Sequence, residues 1–132
     1  MHPRNLALLG SALGVGFGAV GLIFPGSLGA LFGIQLDATS TALIRLVCAS
    51  YVGFGVLDLA ALDLTDRAAW RAIAVGNTTG WAFGGVVMAT ALASGLGNTI
   101  AWSMVAIQVA MTIGWLGVIA WTSRTGASEI PA

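Results

Sequence analysis

The stretch Ala42-Leu-Ile-Arg-Leu-Val-Cys-Ala-Ser-Tyr-Val-Gly-Phe-Gly-Val-Leu-Asp58 decides the fold. It has the composition of a helix inside a membrane, yet it carries an arginine near one end and an aspartate at the other. On both sides of it the chain is equally apolar. Of its 132 residues, 58% are hydrophobic and only 8% charged, against about one-quarter charged in an ordinary soluble domain. The formal net charge is zero, so no global field draws nucleic acid or an acidic partner.

Crossing the hydrocarbon core as a helix takes about 20 apolar residues. Four runs meet that length: 6–24, 39–62, 71–94 and 100–122. The second is broken only by Arg45 and Asp58. The run behind Met1-His-Pro-Arg4 has something of a leader about it, but it is read here as a true span. The connections are short, so consecutive helices are expected side by side and antiparallel. The expected fold is all-α, a single domain forming an integral membrane four-helix up-down bundle. A short interfacial segment, 25–37, separates the first two spans. Its core, Pro25 to Gln35, is too apolar for an ordinary loop. It is expected to lie on the outer surface with Leu28, Leu31 and Phe32 dipping into lipid, or to fold back as a lid.

With four spans the N-terminus, the middle turn and the C-terminus share a side. That side holds Arg4, Arg67, Arg71 and Arg124, whereas the other has Asp37 in its loops and Arg45 just inside the second helix. The positive-inside rule then places both termini in the cytoplasm.

Small residues recur every fourth position. Gly10, Gly14 and Gly18 form one ladder, Gly76, Gly80 and Gly84 another, and Ala106, Ala110 and Gly114 a weaker third. Such spacing makes a groove in which a second helix approaches closely. Either the ladders hold this chain's own helices together, or one faces outward and binds another transmembrane helix.

The candidate polar sites are few. Arg45 lies about 9 Å inside its helix, where it could snorkel, pair with Asp37 or anchor an anion. Asp58 lies about one turn from the opposite end, within reach of Arg67 and Arg71, and a clasp between the second and third spans is the expected role. Asn77 should share the depth of Asp58, and Gln108 that of Arg45, giving two polar layers; the Arg45–Gln108 layer is the preferred ligand site. Trp70, Trp102 and Trp121 fit interfacial belts, while Trp81 and Trp115 fall near mid-membrane. Trp81 follows Gly80 and could pack there or stack on a lipid, quinone or pigment. A faint echo superposes 42–49 on 105–112, with Arg45 over Gln108, as in two parallel hairpins.

No catalytic constellation is visible. Cys48 is the only cysteine and His2 the only histidine, which excludes an internal disulfide and a bis-histidine haem and makes a metal centre improbable.

The segments 24–36 (Phe-Pro-Gly-Ser-Leu-Gly-Ala-Leu-Phe-Gly-Ile-Gln-Leu), 42–59 and 70–81 (Trp-Arg-Ala-Ile-Ala-Val-Gly-Asn-Thr-Thr-Gly-Trp) resemble a family of small four-helix bacterial membrane proteins. In that family an FGI-type outer segment precedes an arginine-bearing helix, and an AxGN element opens the third helix. The likeness runs from Phe24 to about Trp115. It implies that Phe32, Gly33, Ile34, Arg45, Gly76 and Asn77 belong to a shared pattern, and it brings no activity. Three functions are therefore expected in turn. The first is a non-enzymatic accessory subunit packing with itself or with a larger respiratory or photosynthetic complex. The second is a small oligomeric transporter or channel using Arg45, Gln108 and Asn77. The third is a lipid- or quinone-binding protein.

Overall fold

A computed structural model describes residues 2–124, and among these there is no strand. Five α-helices follow in order: α1 Pro3–Ile23, α2 Pro25–Leu31, α3 Ala38–Ala60, α4 Arg67–Ala93 and α5 Trp102–Arg124. Short 3-10 turns, Ala61–Asp63 and Thr99–Ala101, close α3 and open α5. The four long helices are each long and apolar enough to cross a membrane.

The helix ends follow local chemistry. Pro25 cannot continue α1 and drives Phe24 out of the helical region (φ −125°, ψ 56°), so the chain restarts as α2. Asp37 and Ser40 cap α3 reciprocally: the Ser40 amide donates to Asp37 Oδ1 at 2.7 Å and the Asp37 amide to Ser40 Oγ at 2.8 Å. The Ser40 hydroxyl also holds the Asp37 carboxyl below the usual carboxylate range. Asp66 caps α4 by accepting from the amides of Ala68 and Ala69. Gly33, at φ +70°, ends α2 in a Schellman turn, with Ile34 N donating to Gly29 O at 2.8 Å and Gly33 N to Ala30 O at 3.1 Å.

The helices pack in the order α3–α1–α5–α4. The first glycine ladder makes the α1–α3 seam. A Cβ on Gly14 would lie 2.7 Å from the Tyr51 carbonyl, and one on Gly18 would lie 2.7 Å from that of Cys48. As numbers rise along α1 they fall along α3, so the two run antiparallel. Leu6 of α1 fits over Gly114 of α5. Gln108 of α5 lies against Gly84 and Gly85 of α4.

Two apolar cores occupy the ends. One gathers Leu6, Ala61, Trp70, Ala74, Trp115 and Val118; the other gathers Leu28, Phe32, Cys48, Leu92 and Ala101. The first lies where α1 begins, α3 ends, α4 begins and α5 ends, so Arg4, Arg67, Arg71 and Arg124 collect at that end. There Arg67 stacks its guanidinium on Trp121, 5.5 Å from the ring centroid. Trp70 is buried and its indole N–H donates to Leu64 O at 3.1 Å, so it ties down the α3–α4 turn where a belt position was expected.

The segment between α1 and α3 also differs from expectation. Leu28 and Phe32 are buried in the second core, and only Leu31 points outward. The physical reason is Asn98. Its Nδ2 donates to Leu31 O at 2.9 Å and its amide to Phe32 O at 2.8 Å, while its Oδ1 accepts from Ile100 and Ala101. One side chain thus satisfies the carbonyl end of α2 and the amide end of the α5 turn, and pins the segment across the bundle.

Candidate functional site

The inward stripe of α3 is Ile44, Cys48, Tyr51, Gly55 and Asp58, spaced four, three, four and three. On α4 the buried positions Trp70, Ala74 and Asn77 keep the same rhythm, and Gln108, Met111, Trp115 and Val118 keep it on α5. The polar residues Asp58, Asn77 and Gln108 therefore fall inside, each at most 4% exposed, while the outward faces are almost wholly apolar.

Asp58 and Asn77 meet as expected of residues at one depth. Asn77 Nδ2 donates to Asp58 Oδ1 at 2.8 Å, and also to Ile73 O at 3.3 Å. The partner differs from the expected arginine clasp. Arg67 is committed to Trp121, Arg71 is exposed, and neither pairs with Asp58. Asp58 points toward α1, where a Cβ on Gly10 would lie 2.5 Å from its Oδ2, and the arginines lie beyond the turn on the outside of α4.

The expected Arg45–Gln108 layer does not form. Arg45 is exposed and has no hydrogen-bond or ion-pair partner among the described residues. It follows Ile44 of the inward stripe by one residue, which turns it about 100° away from the bundle. Gln108 is buried, with no donor to Oε1 among the described residues. The echo between α3 and α5 thus fails at its key pair, although Cys48 and Met111, which it also superposes, are both buried.

Between the two end cores, α3 and α4 do not close on one another. They touch through the Asp58–Asn77 hydrogen bond and through Tyr51 and Trp81, whose ring centroids are 6.3 Å apart. These contacts bound a cavity of about 170 Å³. Gly10 and Gly14 of α1 form its back wall. Its mouth is built from Phe54, Gly76 and Gly80, all exposed, so it opens sideways between the helices.

The second ladder is therefore divided. Gly84 packs against Gln108, but a Cβ on Gly76 or Gly80 would meet nothing within 4 Å. The third ladder is mostly outward: Ala106 and Ala110 are exposed, and only Gly114 packs inside the chain, under Leu6. Trp81 stands between the cavity and a shallow apolar groove of about 330 Å³ bordered by Val86, Ala89, Val105 and Val109 on α4 and α5. Trp115 is fully buried packing, with Nε1 unpartnered.

Of the residues around the cleft, Asp58, Asn77 and Trp81 are expected from the sequence, and Tyr51 and Phe54 are not. The signal for Tyr51 was available, since it precedes Asp58 by one seven-residue repeat on the inward stripe. No cluster of three metal-ligating side chains occurs among the described residues. No family model matches the chain, and neither does any curated protein or solved structure.

Proposed function

We propose that this is a non-enzymatic multi-pass membrane protein that binds a membrane-dissolved amphiphile in the cleft between α3 and α4. The observation that carries the reading is the unequal fate of the glycine ladders. Gly10, Gly14 and Gly18 are filled by α3, whereas Gly76 and Gly80 look into empty space beside a buried Asp58–Asn77 pair. A bundle made only to pack would close that seam, as it closes the α1–α3 seam, since close approach is what associates helices in lipid.

A membrane setting is supported by the inside-out distribution of polarity. Phe83, Val87, Leu46 and Ile113 are each at least 65% exposed, while Asp58, Asn77 and Gln108 are inside. In water the reverse arrangement would be favoured. The exposed hydroxyls of Ser50, Thr79 and Thr90 donate to carbonyls of their own helices at 2.9–3.1 Å, the pattern needed where no water is at hand. The four long helices are read as an up-down bundle in a bacterial inner membrane. The end rich in arginine, where α1 begins and α5 ends, is placed in the cytoplasm; the expected side of the chain termini themselves lies outside the described residues.

A photoreactive phosphatidylcholine with a diazirine at mid-chain tests the binding reading in reconstituted vesicles. Label should concentrate on Val47–Phe54 and Gly76–Trp81. Label spread evenly over outward residues such as Phe83 and Ile113 would remove the support.

A second reading, the accessory subunit, keeps one specific observation. Ala106 and Ala110 are exposed on α5 beside the α4–α5 groove, a surface a second transmembrane helix could approach. Extraction in mild detergent followed by native gels would show a larger assembly, and a monodisperse monomer from the native host would count against it.

A further inference from the structure

The cleft has a chemical sign. Asp58 is 2% exposed and lines the cavity, and its Oδ1 is taken by Asn77 while no donor among the described residues reaches Oδ2. Asn77, 4% exposed, spends its amide hydrogens on Asp58 and Ile73, and no donor among the described residues reaches its Oδ1. Among the described residues no lysine, arginine or histidine lines the cavity. A carboxyl group kept inside an apolar bundle with one amide donor is a costly arrangement that usually marks a function.

Resting on the binding reading above, we infer that the cleft takes a cationic amphiphile, an ammonium head on an apolar tail. The ammonium sits beside Asp58 Oδ2 and the Asn77 carbonyl oxygen. The aromatic pair Tyr51–Trp81 lies above them, about 10 Å along α3 from Asp58. The ammonium meets the carboxylate at its own level, by the charge-assisted contact that holds such heads, and the aromatic pair one level above lines the path of the first tail carbons. An engineered cavity of about 150 Å³ holds benzene, so a space of about 170 Å³ admits an ammonium head and the first carbons behind it. The rest of the tail leaves through the mouth at Gly76 and Gly80 into lipid. Anionic heads are excluded because they would face a buried carboxyl with no basic residue to meet them.

Three probes with one tail separate head from tail: decylammonium, decanol and decanoate. Each is titrated calorimetrically into the full chain in phosphatidylcholine nanodiscs, with empty nanodiscs subtracted for partition. Decylammonium should saturate at one per chain, and decanoate should show partition alone. Asp58→Asn keeps the shape and should weaken decylammonium about tenfold or more, the loss expected when a charge-assisted hydrogen bond is removed. Gly80→Leu fills the mouth without meeting any neighbour at its Cβ and should abolish saturation while leaving the helix content intact.

Equal saturable binding of decanol, decanoate and decylammonium, all lost in Gly80→Leu, would overturn the cationic preference and leave the cleft as a binding site. No saturable binding of any probe would overturn both. Undiminished decylammonium binding in Asp58→Asn would overturn the role of the carboxylate. If that variant failed to fold, the order of the three probes on the parent would still decide.

Discussion

Gly14 and Gly80 occupy equivalent places in two ladders of identical spacing, and alanine at each should have opposite effects. A Cβ on Gly14 would lie 2.7 Å from Tyr51 O and 3.2 Å from the backbone N and Cα of Gly55. These are backbone atoms of α3 and cannot rotate aside. To reach an ordinary contact of 3.4 Å, α1 and α3 must part by about 0.7 Å, the difference between 3.4 and 2.7 Å. The same shift loosens Gly10 on Asp58 and Gly18 on Cys48. Overpacking of this kind costs about 1–3 kcal/mol. It is offset in part by the roughly 1 kcal/mol that alanine gains over glycine in a helix. At Gly80 the added methyl meets nothing within 4 Å, so only the helical gain remains and Gly80→Ala should be neutral or slightly stabilising. Sequence spacing alone would have both positions equally intolerant of bulk. Unfolding by titration of sodium dodecyl sulfate into dodecylmaltoside micelles, followed by circular dichroism, reads both. A Gly14→Ala variant at least as stable as Gly80→Ala would refute the division of the ladders.

Three further outcomes follow from the same geometry. Gln108→Met should be within about 1 kcal/mol of the parent or more stable, because it removes a buried carbonyl oxygen that has no donor among the described residues; a loss above about 3 kcal/mol in the same titration would mean that Gln108 has an unseen partner. Arg45→Leu should leave stability unchanged, since the side chain is exposed and unpartnered among the described residues; a melting temperature lowered by several degrees would show that its charge is used. With Cys48 replaced by alanine, cysteines at Ser27 and Ser123, both exposed, should react with an impermeant maleimide from opposite sides of sealed vesicles, Ser123 from the cytoplasmic side; labelling of both from one side would break the four-span arrangement.

Much of the fold was legible because helix length, apolar runs and caps are local properties. The expected spans 39–62 and 71–94 differ from Ala38–Ala60 and Arg67–Ala93 by four residues at most. What was not legible depended on pairs. The two ladders look alike in sequence, but only α1 meets a second small residue, Gly55, lying opposite Gly14. Asp58 and Asn77 share a depth, as their positions imply, but charge alone points Asp58 to arginine, whereas the inward rhythm of α4 brings Asn77 and turns Arg71 out. That same rhythm on α3 separates Asp58 from Arg45 and puts Tyr51, not Arg45, on the stripe of Asp58. The inward turn of Leu28 and Phe32 depends on Asn98, 67 residues from the carbonyl it holds, a contact no local pattern announces.

On this reading the seam between α3 and α4 is kept open for a guest. Native mass spectrometry of the protein released from lipid nanodiscs tests it most directly, comparing the parent with Gly80→Leu. The parent should retain one amphiphile per chain through release, and Gly80→Leu, equally folded, should fly without it. Equal retention by the two proteins, or a parent that carries nothing under the gentlest release, would contradict it.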